Sequence, residues 1–306
     1  MNIKTKKELN LFLDNKKSKI SIYEIWKQVK QATSELKIVI DNIPIANKMF
    51  IQGQEQIKNI KDSISISDNI PEPKIKYINN KNDSNEKEKW YYINGIATEQ
   101  EEAFEQANEL SKTFNKDIRL LYNETHGLIS DLYESIKERT FKKTSELTIK
   151  VYKKIKRDLK NNKEVRLIGH SQGGIIASNV INFLVLDKDI TDKLKNLHLY
   201  TFANAAHTVL HHQEQTEING YLVPYSEHYI NTKDFVAKIG VGAEEFRDNV
   251  SGDIYELDVP GHLLMEHYLT HFRKGYYNTE HKKGNLFKIM ENNRKLTEKQ
   301  GKKLKF

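Results

Sequence analysis

The 306-residue sequence contains no cysteine and only seven arginines among its 49 basic residues. Without cysteine, the chain can form no disulfide bond, no thiolate metal site and no cysteine nucleophile. Arginine is the residue that favours bidentate contacts with phosphates and base edges. Its scarcity therefore argues against a protein that reads nucleic acid.

Long hydrophobic runs are absent as well. No stretch of 18 apolar residues exists, so we expect no segment that spans a bilayer. The first residues contain only a short apolar patch before Asp14, which is too short for a secretory signal. The sequence therefore predicts a cytoplasmic protein, with peripheral membrane contact left open. Its 15 Tyr, 12 Phe and 2 Trp residues indicate a folded core despite a mean hydropathy of −0.70.

The net charge of +7 is concentrated at one end of the chain. The segment 281–306 contains nine lysine or arginine residues and two glutamates, so the rest of the chain is balanced. Interspersed apolar residues in this segment allow an amphipathic helix that binds an anionic membrane or another polyanion. A solvated, frayed terminus is the alternative explanation.

Composition divides the chain into three regions. Residues 1–88 combine helical apolar spacing with a segment, 61–88, that is rich in Ser, Asn, Pro and mixed charge. These features predict a helical extension followed by a linker. Residues 89–281 carry the pattern of a catalytic domain, and 282–306 form the basic C-terminal tail.

Short apolar strands alternate with amphipathic helices between residues 89 and 281. Because each connection between parallel strands needs a crossover, this alternation predicts an α/β fold with a doubly wound, mostly parallel sheet. The predicted strands are 90–94, 118–123, 164–169, 197–204, 225–231 and 254–259, and the predicted helices are 99–114, 127–138, 144–160 and 174–186.

A G-x-S-x-G motif lies between a predicted strand and a predicted helix. Gly169 and Gly173 flank Ser171 at the spacing that a sharp strand-to-helix turn requires, because chain segments crowd there. Such a turn exposes the Ser171 hydroxyl at a helix N-terminus, where negative charge is stabilised. The sequence thus predicts a nucleophilic serine, and a merely structural glycine turn is the alternative.

The acid that would orient a catalytic base is expected after the serine in the chain. Asp234 follows the strand 225–231 at its carboxyl end, where an α/β active site must lie. It could equally cap the following helical segment, and the two roles are compatible. Asp253 and Asp258 are assigned to the start and interior of a strand, and we expect their side chains to point elsewhere.

The base is expected in the loop beyond the last strand. His262 follows strand 254–259 through Pro260 and Gly261, which makes it the best-placed histidine. His267 and His271, on or after the next helix, are assigned to packing or to the surface. The pair His211 and His212 raises a zinc site as a less favoured alternative, because no carboxylate joins them at ligand spacing.

Two backbone N–H groups are needed to stabilise the oxyanion of an acyl-transfer intermediate. One is expected from Gln172, which follows the serine. The other is expected from the loop 94–97, where Gly95 lets the chain turn and either Ile96 or Ala97 would donate. Ile96 is the preferred candidate.

These residues resemble the α/β-hydrolase superfamily, on its lipase and esterase side, over about residues 89–275. GHSQGG is similar to the elbow of lipases and lipase-like deacylases, NTKDFVAKIG to the acid segment of class 3 lipases, PGHLLMEHYL to the segment with the base, and YINGI to the first strand. The resemblance implies Ser171, Asp234 and His262 as the catalytic triad.

The function implied is a serine hydrolase that cleaves carboxylic esters of lipids or other acyl groups through an acyl-enzyme. It would need neither a metal nor an organic cofactor. The expected partners are a small-molecule or lipid ester and, through 282–306, an anionic membrane surface; nucleic acid is not expected. The alternative is a non-catalytic interaction protein built on the same body, against which the chain order Ser, Asp, His argues.

Overall fold

The computed structural model describes residues 71–124 except 82, 84 and 97, then 146–212 and 222–303, with side chains described as far as Leu296. The predicted helix 127–138 and most of the predicted extension 1–88 lie outside these ranges. No helix in the described ranges is long and apolar enough to cross a bilayer.

Within the described residues, seven strands form one sheet in the order β1-β3-β2-β4-β5-β6-β7. Every neighbouring pair is parallel except β1 and β3, which pair antiparallel. The predicted α/β class with a mostly parallel sheet is therefore confirmed. The strands are β1 (Ile75–Ile78), β2 (Glu88–Ile93), β3 (Ile118–Leu121), β4 (Glu164–His170), β5 (Leu197–Phe202), β6 (Tyr225–Asn231) and β7 (Asp253–Leu257).

Helices lie on both faces of this sheet, as parallel crossovers require. A π-helical turn, Leu264–Leu269, leads directly into α5, and two 3₁₀ segments span Lys188–Asn196 and Glu244–Asn249. The α-helices are α1 (Gln100–Phe114), α2 (Glu146–Lys160), α3 (Gln172–Leu186), α4 (Phe235–Lys238), α5 (Thr270–Arg273) and α6 (Asn285–Lys303).

Two apolar cores flank the sheet because successive strand residues point to opposite faces. In β2, Tyr91 and Ile93 pack with α2 and α3, whereas Trp90 and Tyr92 pack with α1, the π turn and α6. All four side chains are fully buried. A strand buried on both faces reads as a continuous apolar run, and the sequence WYYI has this character.

The sheet begins earlier than the predicted domain boundary. Strand β1 lies within the predicted linker 61–88, and it pairs with β3 from Ile75 opposite Leu121 to Ile78 opposite Ile118. The boundary at residue 88 is thus a wrong prediction. Composition does not reveal strand β1, because this four-residue strand at the sheet edge has only one buried apolar side chain, Ile78.

The basic tail is also not a separate appendage. Leu286, Phe287 and Met290 on α6 are buried in the core that contains α1. The buried carboxylate of Glu227 on β6 accepts hydrogen bonds from the backbone N–H groups of Asn285 and, at 3.1 Å, Leu286. A carboxylate at a helix N-terminus satisfies unpaired donors and the helix dipole. The apolar face of α6 therefore packs on the protein.

Candidate active site

Ser171 occupies a sharp corner between β4 and α3. Its backbone angles are φ 55° and ψ −121°, and a positive φ of this kind is strained for a residue with a side chain. The preceding strand and the following helix both pack in the core and hold this conformation in place. The corner has the strand–turn–helix context that the G-x-S-x-G motif predicted.

Two glycines make this corner possible by close approach. A Cβ atom on Gly173 would lie 2.2 Å from the carbonyl oxygen of Ile93, at the end of β2. A Cβ atom on Gly169 would lie 2.6 Å from the carbonyl oxygen of Gly173. Since both contacts are with backbone atoms, neither position has room for a side chain.

Three polar side chains meet at the carboxyl edge of the sheet. The Ser171 hydroxyl lies 3.0 Å from Nε2 of His262, and Nδ1 of His262 lies 2.8 Å from Oδ2 of Asp234. All three residues are at most 9% exposed. Because the carboxylate accepts the Nδ1–H, the free electron pair of Nε2 is directed at the Ser171 hydroxyl. The structure thus brings together the three residues predicted from separate segments of the chain.

Asp234 makes two further hydrogen bonds. Its Oδ1 accepts the backbone N–H of Val236 at 2.9 Å and caps the short helix α4, as the capping alternative proposed. Its Oδ2 accepts the hydroxyl of Tyr268 at 2.7 Å as well as the His262 Nδ1–H. The carboxylate is therefore held on both oxygens while it faces the imidazole.

The hydroxyl of Tyr268 belongs to a chain of buried polar groups that was not predicted. It accepts the backbone N–H of Asn231 at 3.1 Å, and the Asn231 side chain donates to the Gly261 carbonyl at 3.0 Å. Tyr277 donates to Oδ1 of Asn231 at 2.6 Å. These contacts tie the segments carrying Asp234 and His262 to each other. A signal was available in the sequence, because Tyr268 lies in the PGHLLMEHYL segment.

His170, the residue before the serine, also escaped prediction. Burial lowers the pKa of His170 to about 3, so its ring stays neutral at ordinary pH. Its Nε2 lies 2.9 Å from the carbonyl oxygen of His262, so this nitrogen carries the hydrogen and donates it. The bond holds the backbone of His262 and places no positive charge beside its imidazole.

The two predicted oxyanion donors belong to the two chain segments next to the nucleophile. Gln172 is the first residue of α3, and Ile96 is buried in the loop after β2. That loop touches the corner, because a Cβ atom on Gly95 would lie 3.1 Å from Cβ of Ser171. The alternative donor, Ala97, is outside the described residues.

The two other aspartates near His262 in the sequence form ion pairs with lysines. Asp253 forms an ion pair with Lys282 at 3.0 Å, and Asp258 forms one with Lys233 at 2.9 Å. Asp258 lies one residue beyond β7 rather than inside it. Within 71–124, 146–212 and 222–303, His, Asp and Glu side chains form no group of three that could hold a metal ion.

A mostly parallel, doubly wound sheet with a serine at a glycine-lined elbow is the architecture of an α/β-hydrolase. Residues 92–242 match the family model described as lipase (class 3). The chain is a lipase/esterase-like α/β-hydrolase.

Solved structures similar to the chain include three hydrolases. Esterase B from Lactobacillus rhamnosis is 10% identical, with a TM-score of 0.38, and covers 86% of this chain and 99% of its own. A CIB-like hydrolase from Thermoplasma acidophilum is 15% identical, with a TM-score of 0.35, covering 66% and 94%. The Trichoderma reesei cutinase is 14% identical, with a TM-score of 0.26, covering 57% and 74%. A search of curated proteins finds no match to the chain.

Proposed function

We propose that this protein cleaves carboxylic esters with Ser171 as nucleophile, His262 as general base and Asp234 as the orienting acid. The single observation that carries the proposal is the unbroken hydrogen-bonded series from Oγ through the imidazole to the carboxylate, at 3.0 and 2.8 Å. A nucleophile within reach of a base, itself oriented by a third group, is the arrangement that acyl transfer requires.

The reaction proceeds in two halves. His262 Nε2 takes the proton of the Ser171 hydroxyl while Oγ bonds to the ester carbonyl carbon, and backbone N–H groups of Gln172 and Ile96 stabilise the resulting oxyanion. The carbon–oxygen bond to the alcohol then breaks, and His262 protonates the leaving oxygen. In the second half His262 deprotonates a water molecule, which attacks the acyl-enzyme and releases the acid. Asp234 stabilises the imidazolium in both halves.

The substrate class we propose is an ester of a lipid or another apolar acyl group. Leu263, which follows His262 directly, and Met265, two residues further on, are only partly buried, so the segment that carries the base also exposes apolar side chains. The class 3 lipase match over residues 92–242 supports the same class. Acyl-chain length is the property that the test must measure.

The test is labelling with a fluorophosphonate probe, combined with hydrolysis of p-nitrophenyl esters of increasing chain length. We expect stoichiometric labelling, mapped by mass spectrometry to Ser171, and turnover that rises with acyl length beyond acetate. Heat-denatured protein is the control for chemical labelling. Absence of both labelling and turnover in the folded protein would instead favour the non-catalytic interaction protein.

We further propose that the basic end of the chain contacts an anionic membrane. Lys288, Arg294 and Lys295 are exposed on α6, whose apolar face packs on the protein. Such a contact is electrostatic and weakens with salt, since exposed charges are screened within about 10 Å at 0.1 M salt. We expect the protein to sediment with vesicles containing phosphatidylserine but not with neutral phosphatidylcholine vesicles.

Replacing these three α6 residues by glutamate should abolish sedimentation with the anionic vesicles. A control variant applies the same charge change to three exposed lysines on the other side of the sheet, Lys160, Lys188 and Lys195. Equal loss in both variants would show that only net charge matters and would contradict a surface specific to α6.

A further inference from the structure

A fully buried asparagine closes the end of the first parallel strand pair. Asn94 directly follows β2, and its side chain binds both backbone polar groups of Asn123: Oδ1 accepts the N–H at 2.8 Å, and Nδ2 donates to the carbonyl at 3.0 Å. The same Nδ2 donates to the carbonyl of Gly95 at 3.0 Å. The Asn94 side chain thereby extends the β2–β3 pairing beyond both strands and fixes the next peptide group.

The partner asparagine reaches the nucleophile's own helix. Nδ2 of Asn123 donates to Oε1 of Gln172 at 2.7 Å, and Asn123 is only 7% exposed. Gln172 follows Ser171 and begins α3. The side chains of Asn94, Asn123 and Gln172, which we call the amide clamp, therefore connect the carboxyl ends of the adjacent strands β3, β2 and β4.

The amide clamp contacts the elbow that carries the nucleophile. The carbonyl oxygen of Asn94 would lie 2.6 Å from a Cβ atom on Gly173, so the end of β2 touches the elbow. The loop that continues through Gly95 touches Ser171 itself, as described above. Both predicted oxyanion donors, the N–H groups of Ile96 and Gln172, therefore belong to segments that the clamp holds.

We propose that Asn94 and Asn123 are positioning residues that set the geometry of the oxyanion hole, an inference that rests on the proposed function. An oxyanion hole is effective only when its donors lie about 2.7–3.1 Å from the oxyanion. Small displacements of these donors therefore lower the rate of the chemical step. Removing one donor lowers kcat by roughly 10²- to 10³-fold. Displacing a donor that remains present should lower kcat less than removing it. We therefore expect Asn94→Ala to lower kcat by about 10- to 100-fold.

The effect should appear in the transition state and not in substrate binding. The oxyanion hole binds charge that develops during reaction, so KM should change by less than about threefold while kcat falls. The affinity for a trifluoromethyl ketone, which adds to the serine and forms a stable oxyanion, should fall together with kcat/KM. Gln172→Ala retains the backbone donor and removes the side-chain bond to Asn123, so its fall in kcat should be smaller than that of Asn94→Ala.

Asn182 supplies a matched control for the loss of a buried asparagine. It is 1% exposed on α3, and like Asn94 it clamps backbone groups, accepting the N–H of Leu210 at 2.8 Å and donating to the carbonyl of Thr208 at 3.1 Å. Asn182→Ala should therefore reduce the melting temperature as Asn94→Ala does, with kcat little changed. Asn94→Asp, which keeps the acceptor of the Asn123 N–H, serves if Asn94→Ala does not fold.

The closing experiment measures rates of fluorophosphonate labelling at 25 °C for the wild type, the Asn94 variant, Gln172→Ala and Asn182→Ala, together with kcat, KM and ketone affinity. Slow labelling confined to the clamp variants, with KM retained, supports the proposal. If folded clamp variants label at the wild-type rate, or if Asn182→Ala lowers kcat equally, the clamp does not position the oxyanion hole. Either result leaves the proposed roles of Ser171, His262 and Asp234 unaffected. A wild type that neither labels nor turns over would overturn the proposed function, and the clamp with it.

Discussion

Replacing Ser171 by alanine is expected to lower kcat for p-nitrophenyl esters by about 10⁴- to 10⁶-fold, because the proposed acyl-enzyme forms on its Oγ atom. The imidazole of His262 lies between this hydroxyl and the Asp234 carboxylate. The substitution removes a single oxygen atom and keeps the strained backbone, so the fold should persist. The measurement is steady-state turnover with circular dichroism melting on the same samples.

Ser178 provides the control for deleting a buried hydroxyl from this region. It is fully buried on α3, where its hydroxyl accepts the side-chain N–H of Asn204 at 3.0 Å. Ser178→Ala should cost on the order of 1 kcal/mol of stability, the usual cost of a lost hydrogen bond, and leave turnover within a few-fold of wild type. Retained turnover in a folded Ser171→Ala protein would contradict the assignment of the nucleophile.

The elements predicted most accurately from the sequence are those in which nearly every side chain is buried. Strand β6 matches its predicted limits 225–231, and the helix predicted over 174–186 lies within α3, two residues short of its start. Burial on both faces produces continuous apolar runs, and local patterns of this kind need no knowledge of the partner. The elbow is local at Gly169, which contacts Gly173 and Gly174 of the same strand–turn–helix unit, whereas Gly173 itself contacts the end of the distant strand β2 at Ile93.

The features that escaped prediction depend on contacts between distant segments. Tyr268 lies 34 positions from Asp234, and Asn94 lies 29 positions from Asn123. Each is a single polar residue whose partner becomes known only when the sheet order is known. The docking of α6 has the same cause, since its capping carboxylate, Glu227, is 59 positions from Leu286. Composition alone therefore predicts a free basic tail where the structure has a packed helix, α6.

Asp234→Asn is the second substitution with a large expected effect. It tests whether turnover depends on the negative charge of Asp234. Asparagine keeps one oxygen, which can cap α4 by accepting the Val236 N–H, while its NH₂ group takes the place of the Oδ2 that accepts the Tyr268 hydroxyl. Because the cap is kept and one hydrogen bond is lost, the fold should survive with a modest fall in melting temperature. Asparagine lacks the negative charge that stabilises the imidazolium, and its NH₂ group opposes the His262 Nδ1–H. We expect kcat to fall by about 10⁴-fold, the loss found when a triad carboxylate becomes an amide.

Tyr268→Phe separates the charge of Asp234 from its placement. It removes the hydroxyl that donates to Oδ2 at 2.7 Å but leaves the carboxylate and its bond to His262 intact. Because only one of several contacts that position the carboxylate is lost, we expect kcat to fall by roughly 10-fold, the scale of one modest hydrogen bond. If Asp234→Asn cost no more than Tyr268→Phe, the carboxylate would serve only as the cap of α4, and the base would have to be oriented by another group.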